Sequence, residues 1–158
     1  FSNDMTPTEK YRIMGIDPGT NYMGYGVLEI EGRTVRSVVL GCDTVVDVGG
    51  EVFGKPHSVE DAKRMLRALS GATHEVHTGV CVSDGVRTES FVDSCRVTFF
   101  PISEGEIDAY TATKEPYDKA GAYAIQGRAA LWLDRLEGDY YTIMGLPVSR
   151  TARLLSGF

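Results

Sequence analysis

The strongest constraint on the fold is a change of apolar period at Gly71. From Ser58 onward, Val59, Ala62, Met65, Leu66 and Leu69 recur at three- and four-residue intervals until Gly71. That spacing lines one face of an α-helix. Ser58 followed by Asp61 is the pattern in which a hydroxyl and a carboxylate satisfy the unpaired N–H groups of a helix start. Beyond Gly71 the chemistry is different: residues 73–82 and 86–100 are rich in β-branched and aromatic side chains and flank Asp84-Gly85. Such runs on either side of a turn dipeptide predict a long hairpin. A chain that switches period in this way buries its helix against a sheet.

The remaining segments extend that picture. Residues 11–16 end at Asp17-Pro18-Gly19, residues 22–30 end at Glu31-Gly32, and residues 34–40 follow, which reads as strand, loop, strand, turn, strand. Val45 and Val46 carry an extended segment to the Gly49-Gly50 turn. Ser103 with Glu106 predicts a second capped helix to about Thr113, stopped by Glu115-Pro116. Residues 129–136 and 140–144 around Glu137-Gly138-Asp139 predict a further hairpin, and Pro147 opens a terminal helix carrying Ala152, Leu154 and Leu155. The expectation is an α/β or α+β sheet protein without internal repeats, low-complexity tracts or linkers.

Composition excludes several classes of function. The 158 residues, 42% hydrophobic and 24% charged, fit one domain with a real core. A net charge of −6 and a pI near 5.0 argue against a broad footprint for duplex nucleic acid, although a local basic pocket stays open. No apolar run approaches the roughly 20 residues that cross a bilayer, and Phe1-Ser2-Asn3-Asp4 is no secretory signal, so a cytoplasmic protein is expected. Phe1 is not an initiator whereas Met5 could be, which reads as a fragment or a piece of a longer frame. Cys42, Cys81 and Cys95 are odd in number and lack close C-x-x-C spacing, so they are expected to be buried reduced thiols.

Phosphoanhydride cleavage needs cationic groups on the phosphates, a base or positioned water, and carboxylates for a divalent cation. The chain places such groups at turns: Asp43 after Gly41-Cys42, Lys55 in Gly54-Lys55-Pro56, and Glu115, Asp118 and Lys119 together. Singly, each has an ordinary reading as turn former, solvated lysine or helix stop. His74 and His77 are three apart in a predicted strand and so point to opposite faces, which makes them poor joint ligands. His57 reads as a loop residue and Trp132 as core.

Taken together, the motifs say more. Leu40-Gly41-Cys42-Asp43-Thr44-Val45-Val46, Gly54-Lys55-Pro56, Leu69-Ser70-Gly71-Ala72-Thr73-His74-Glu75-Val76-His77-Thr78-Gly79-Val80, Glu115-Pro116-Tyr117-Asp118-Lys119-Ala120-Gly121-Ala122-Tyr123-Ala124-Ile125-Gln126-Gly127 and Gly145-Leu146-Pro147 occur in this order. In order and spacing, residues 41–158 resemble the Maf family of nucleotide pyrophosphatases. Asp43-Thr44 and Ile125-Gln126-Gly127 resemble the branch acting on dTTP and UTP rather than methylated GTP. The resemblance implies a Maf/ITPase-like α/β fold, a mixed sheet with flanking helices around a nucleotide cleft. It also implies hydrolysis of a nucleoside triphosphate to the monophosphate and pyrophosphate. Asp43 corresponds to the catalytic carboxylate and proton acceptor, Thr44 and Gln126 to specificity positions, and Lys55 and Lys119 to groups neutralising phosphate. A divalent cation, magnesium or manganese, would be held by Asp43 with Glu115 and Asp118. A homodimer is left open.

Residues 1–40 depart from this pattern. A Maf chain opens with a strand leading into a Ser-x-x-Arg-Arg segment that grips phosphate, and no such segment occurs here. Instead, Ile13-Met14-Gly15-Ile16-Asp17-Pro18-Gly19-Thr20-Asn21-Tyr22-Met23-Gly24-Tyr25-Gly26-Val27-Leu28 resembles the first hairpin of the RuvC Holliday-junction resolvase, an RNase H-like fold, with Asp17 at its first metal-binding carboxylate. The division is therefore a RuvC-like hairpin segment over 1–40, not an independent domain, and a Maf-like domain over 41–158. A chimeric reading frame joined near Leu40-Gly41 explains both halves, with a divergent natural start as the alternative. Two rival functions stay open: an inert or nucleotide-binding remnant, and a nuclease fragment using Asp17 whose other metal ligands have no counterpart here.

Overall fold

The computed structural model describes the backbone of residues 10–18, 23–31 and 34–158, and side chains from residue 38 onward. Phe1, Met5, Gly19 and Gly32 lie outside the described residues, as does the side chain of Asp17. Among the described residues, seven strands form one sheet in the order β1 (Lys10–Pro18), β2 (Met23–Glu31), β3 (Thr34–Val48), β5 (Thr73–Ser83), β6 (Thr88–Phe99) and β7 (Leu133–Glu137), with β4 (Glu51–Phe53) paired to β3. The pairings are all antiparallel, where a mixed sheet was expected. The opening strands and the long β5–β6 hairpin fall where the sequence put them. Strand β3 runs 15 residues, joining the strand expected over 34–40 to the extended segment expected through Val45 and Val46, and stops at the expected turn, where Gly49 and Gly50 take φ of +61° and +94°. Asp47 holds that turn by accepting the Gly50 N–H at 2.7 Å.

Among the described residues, four α-helices follow from local chemistry. In α1 (Val59–Leu69), Ser58 Oγ accepts the Asp61 N–H, and Asp61 in turn accepts the His57 N–H. Ala62, Met65, Leu66 and Leu69 are buried along one face, while Val59 stays 45% exposed at the helix start. Helix α2 (Glu104–Thr111) has the full reciprocal capping box of Ser103 and Glu106. It ends two residues before the expected Thr113, and Glu115–Asp118 forms a 3-10 turn. The hairpin expected over 129–144 does not form. Residues 128–132 make a 3-10 turn, β7 pairs with β6, and α3 (Tyr140–Ile143) begins at Asp139, whose carboxylate accepts the Tyr141 N–H at 2.9 Å. Asp at a helix cap outweighed the β propensity of the tyrosines that follow. Helix α4 (Val148–Leu155) starts just after Pro147.

Alternation along the strands gives the sheet one covered and one open face. On the covered face, β3 residues Leu40, Cys42, Thr44 and Val46 register with Val82, Val80, Thr78 and Val76 of β5. These register with Glu89, Phe91, Asp93 and Cys95 of β6. One end of this face packs α1 and α2 through Phe53, Leu66, Leu69, Val97, Phe99, Ile107, Tyr110 and Trp132. The other end packs Leu146, Leu154 and Leu155 over Leu40, Cys42, Val80 and Val82. Trp132 is core as expected, and its indole N–H reaches Glu106. Cys42 and Cys95 are buried, but Cys81 is exposed because it falls on the open face, which corrects the expectation of three buried thiols. Among the described residues, no helix is long and apolar enough to cross a membrane.

Candidate functional site

Asp43 and Thr44 are neighbours on β3 and therefore face opposite sides of the sheet. Asp43 is exposed, and its Oδ1 accepts the Thr44 N–H at 2.8 Å, which fixes the carboxylate. It borders an open hollow of about 580 Å³ shared with Gly41, Gly79, Cys81, Ser90 and Val92. A Cβ added at Gly41 or Gly79 would meet nothing within 4 Å, so the floor of the hollow is backbone with space above it. Lys55, Lys119 and Gln126 are not part of its lining.

Those three residues belong to loops at the α1–α2 end. Gly121 N–H donates to Gly54 O at 3.0 Å, which ties the loop carrying Lys55 to the one carrying Lys119. Gly121 takes φ +69° with Val46 so close that an added Cβ would sit 3.0 Å from its Cγ2. Ala122 follows at φ +60° while fully buried, a left-handed conformation unfavourable for a residue with a side chain. Lys119 Nζ lies 2.6 Å from Asp118 Oδ2, and Lys55 is half-buried.

Glu115 is a brace rather than a free ligand. Its Oε1 accepts the Tyr110 hydroxyl at 3.1 Å and the Arg128 N–H at 2.9 Å. It thereby holds the turn at whose apex Gln126 stands exposed. A Cβ on Gly127 would lie 1.9 Å from that oxygen, so glycine is required for the brace to close. The structure thus ties the loops of Lys55 and Lys119 together by a backbone hydrogen bond, and the Glu115 carboxylate to the turn that carries Gln126. Among the described residues, no three His, Cys, Asp or Glu side chains converge on a metal-sized site, so Asp43, Glu115 and Asp118 do not form a ready cage.

Sequence reasoning missed a row of polar groups on the covered face. Thr44 Oγ1 lies 2.8 Å from Thr78 Oγ1. The Thr78 hydroxyl donates to Thr142 O at 2.6 Å, and the Thr142 hydroxyl donates to Asp93 at 2.5 Å. Arg150 of α4 then donates to Asp93 Oδ1 and to Val92 O, both at 3.0 Å, with its guanidinium 4.4 Å from the Phe91 ring. A signal existed: Thr78 interrupts the alternating valines Val76, Val80 and Val82 on the buried face of β5. His74, by contrast, is core: burial lowers its pKa to about 4, and its Nε2 pairs with the Tyr123 hydroxyl at 2.9 Å. His77 points to the other face and bonds Ser94, as the spacing required. Burial raises the Cys95 thiol to about 11, helped by Asp139 and Asp93, so it stays protonated and inert.

A family model described as Maf-like protein matches residues 26–158, and the chain belongs to that family. The match begins inside the stretch that resembles the resolvase hairpin, upstream of Leu40-Gly41. Three proteins named dTTP/UTP pyrophosphatase are similar to it. That of Bacillus velezensis is 51% identical over 122 residues, which is 77% of this chain and 65% of that protein. Those of Bacillus cytotoxicus and Bacillus mycoides are each 48% identical over 123 residues, 78% of this chain and 64% of theirs. The chain therefore spans a little under two thirds of these relatives.

Proposed function

We propose that this chain is the greater part of a cytoplasmic nucleoside triphosphate pyrophosphatase that hydrolyses dTTP and UTP to the monophosphate and pyrophosphate. The carrying observation is the identity of about half to dTTP/UTP pyrophosphatases over 122 residues. In this reading the Asp43 carboxylate takes a proton from the attacking water. Water oxygen bonds to the phosphorus that becomes the monophosphate, and the phosphoanhydride bond breaks to release pyrophosphate. Lys55 and Lys119 offset the charge gathering on the leaving group. Thr44 and Gln126 set substrate choice, and Gln126 offers both a donor and an acceptor to a base edge. Asp43, Glu115 and Asp118 do not fit a preformed metal cage, since they do not converge and Glu115 is engaged. A magnesium or manganese ion would arrive with the triphosphate, as such ions do when few carboxylates are offered.

The test is pyrophosphate release with magnesium present. Asp43→Asn should lower turnover of dTTP at least ~100-fold, in line with loss of a general base. dTTP and UTP should exceed ATP and GTP by more than about tenfold in kcat/KM. Equal rates for wild type and Asp43→Asn would remove Asp43 from the mechanism. A second reading, a nucleotide-binding remnant, is favoured by the lack of a Ser-x-x-Arg-Arg segment in these residues. It would show as dTTP binding without turnover, reversed when residues 1–40 are exchanged for a Maf N-terminal region carrying those arginines.

A further inference from the structure

The hydroxyl of Thr44 is turned into the protein, and proton bookkeeping fixes which way its bond runs. Thr78 has a single hydroxyl proton, and it is spent on the Thr142 carbonyl at 2.6 Å, an atom that can only accept. The 2.8 Å contact between the two threonines must then be a donation from Thr44 to Thr78. Beyond Thr142 the order continues without conflict: its own hydroxyl donates to Asp93, which also accepts from Arg150. Thr78 and Thr142 are fully buried, so each hydroxyl has protein as its partner instead of water.

This chain of bonds crosses three strands in register, Thr44 with Thr78 and Thr78 with Asp93. It then rises into α3 at Thr142 and α4 at Arg150. It lies between the two apolar clusters of the covered face, on the side of the sheet away from the hollow that Asp43 borders. We infer that Thr44 governs substrate choice through this relay, and that Thr78 is a positioning residue that joins β3 beside Asp43 to the α3–α4 unit. The inference rests on the pyrophosphatase reading for what is being positioned. It departs from the simpler view in which the Thr44 side chain touches the nucleotide.

Thr44→Val and Thr78→Val separate the two views, because each keeps side-chain shape and removes one hydroxyl. The Thr142 carbonyl is not orphaned in Thr78→Val, since it also accepts the Gly145 N–H at 3.1 Å. Dissociation constants for dTTP and dGTP would be measured by calorimetry with magnesium present, alongside urea denaturation of each variant. The relay requires both valine variants to lose the dTTP preference by a similar factor, about tenfold for one buried hydrogen bond. It also requires the double variant to lose no more than either single one, and Thr78→Ser to restore the preference. If Thr44→Val loses selectivity while Thr78→Val keeps it, Thr44 touches the ligand and the inference is wrong. Additive stability losses from the two valines would equally overturn it, and that outcome is readable whether or not nucleotide binds. Absence of any nucleotide binding by the wild type, with coupled stabilities, would instead overturn the pyrophosphatase reading and the assignment to substrate choice with it.

Discussion

The two ends of the covered sheet face are held by different means. Under α1 and α2, Phe99 packs edge-on against His74, Tyr123 and Trp132 at centroid distances of 5.1, 4.9 and 6.3 Å, surrounded by buried Leu66, Leu69, Ile107 and Tyr110. Under α4 the buried residues are Leu40, Cys42, Val80 and Val82, and the leucines that cover them are only partly buried. There the contact is completed by polar ties: Arg150 to Asp93 and Val92, and Arg87 to Gly157 O at 2.8 Å. Apolar area stabilises in proportion to what is removed from water, at about 25 cal/mol per Å². The first end can hold itself together, whereas the second depends on the sheet and on hydrogen bonds to stay docked.

The largest effect should come from the first end. Phe99→Ala should cost about 3–5 kcal/mol, the range for deleting a buried aromatic ring, which is a large share of the stability of an ordinary domain. Urea denaturation would measure it. A cost under about 2 kcal/mol would mean that this cluster is not the anchor of the fold.

Next in size is an acid sensitivity at the same end. His74 is buried with its Nδ1 unpaired, and burial holds its pKa at about 4 against an ordinary 6.5. Its pKa is therefore lower folded than unfolded. Between these values the unfolded chain binds a proton that the folded one refuses, so stability is full above pH 6.5 and falls as pH drops toward 4. That difference corresponds to about 3 kcal/mol. Around the ring, the Tyr123 hydroxyl is pushed upward by burial and the Cys95 thiol sits near 11, so neither titrates in this window. Denaturation at pH 7 and pH 4.5 should show the loss, and His74→Gln should flatten it. An unchanged slope in that variant would assign the acid sensitivity to other groups.

Which features were readable from the sequence follows the same division. Helix α1, the hairpin of β5 and β6 and the capping box of α2 rest on local signals, namely period, turn dipeptides and caps, and all appear where expected. Residues 133–143 were misread because the pairing of β7 with β6 is decided by a partner distant in sequence, and because the local Asp139 cap outweighs the β propensity of the tyrosines that follow it. Within the site, Asp43 and Lys55 stood out by motif. The Glu115 brace did not, since it needs Tyr110 and Arg128 brought together by folding. That brace yields a third, smaller effect. In Gly127→Ala the new methyl would displace the Glu115 carboxylate from two hydrogen bonds, one to the Tyr110 hydroxyl and one to the Arg128 N–H. The cost should be about 1.5–3 kcal/mol, the worth of hydrogen bonds to a charged group, and should vanish in a Glu115→Ala background. If both backgrounds lose equally, the damage is to the backbone of the Gln126 turn and not to the brace.

The smallest effect sharpens the contrast between the two ends. Leu154 packs from α4 against the cluster of Leu40, Cys42, Val80 and Val82 but stays partly exposed, so Leu154→Ala removes less area than truncation of a fully buried leucine. A loss of about 1 kcal/mol is expected, below the usual range for buried sites. Its distribution is more telling than its size. Because α4 is held by a small apolar cluster and a few polar ties, the loss should appear as local opening, with amide exchange speeding in residues 148–155 and unchanged in α1. Exchange rising equally in both helices would show that the two ends unfold as one unit. The α3–α4 region would then be part of the main core rather than a cover docked through the Thr44 relay.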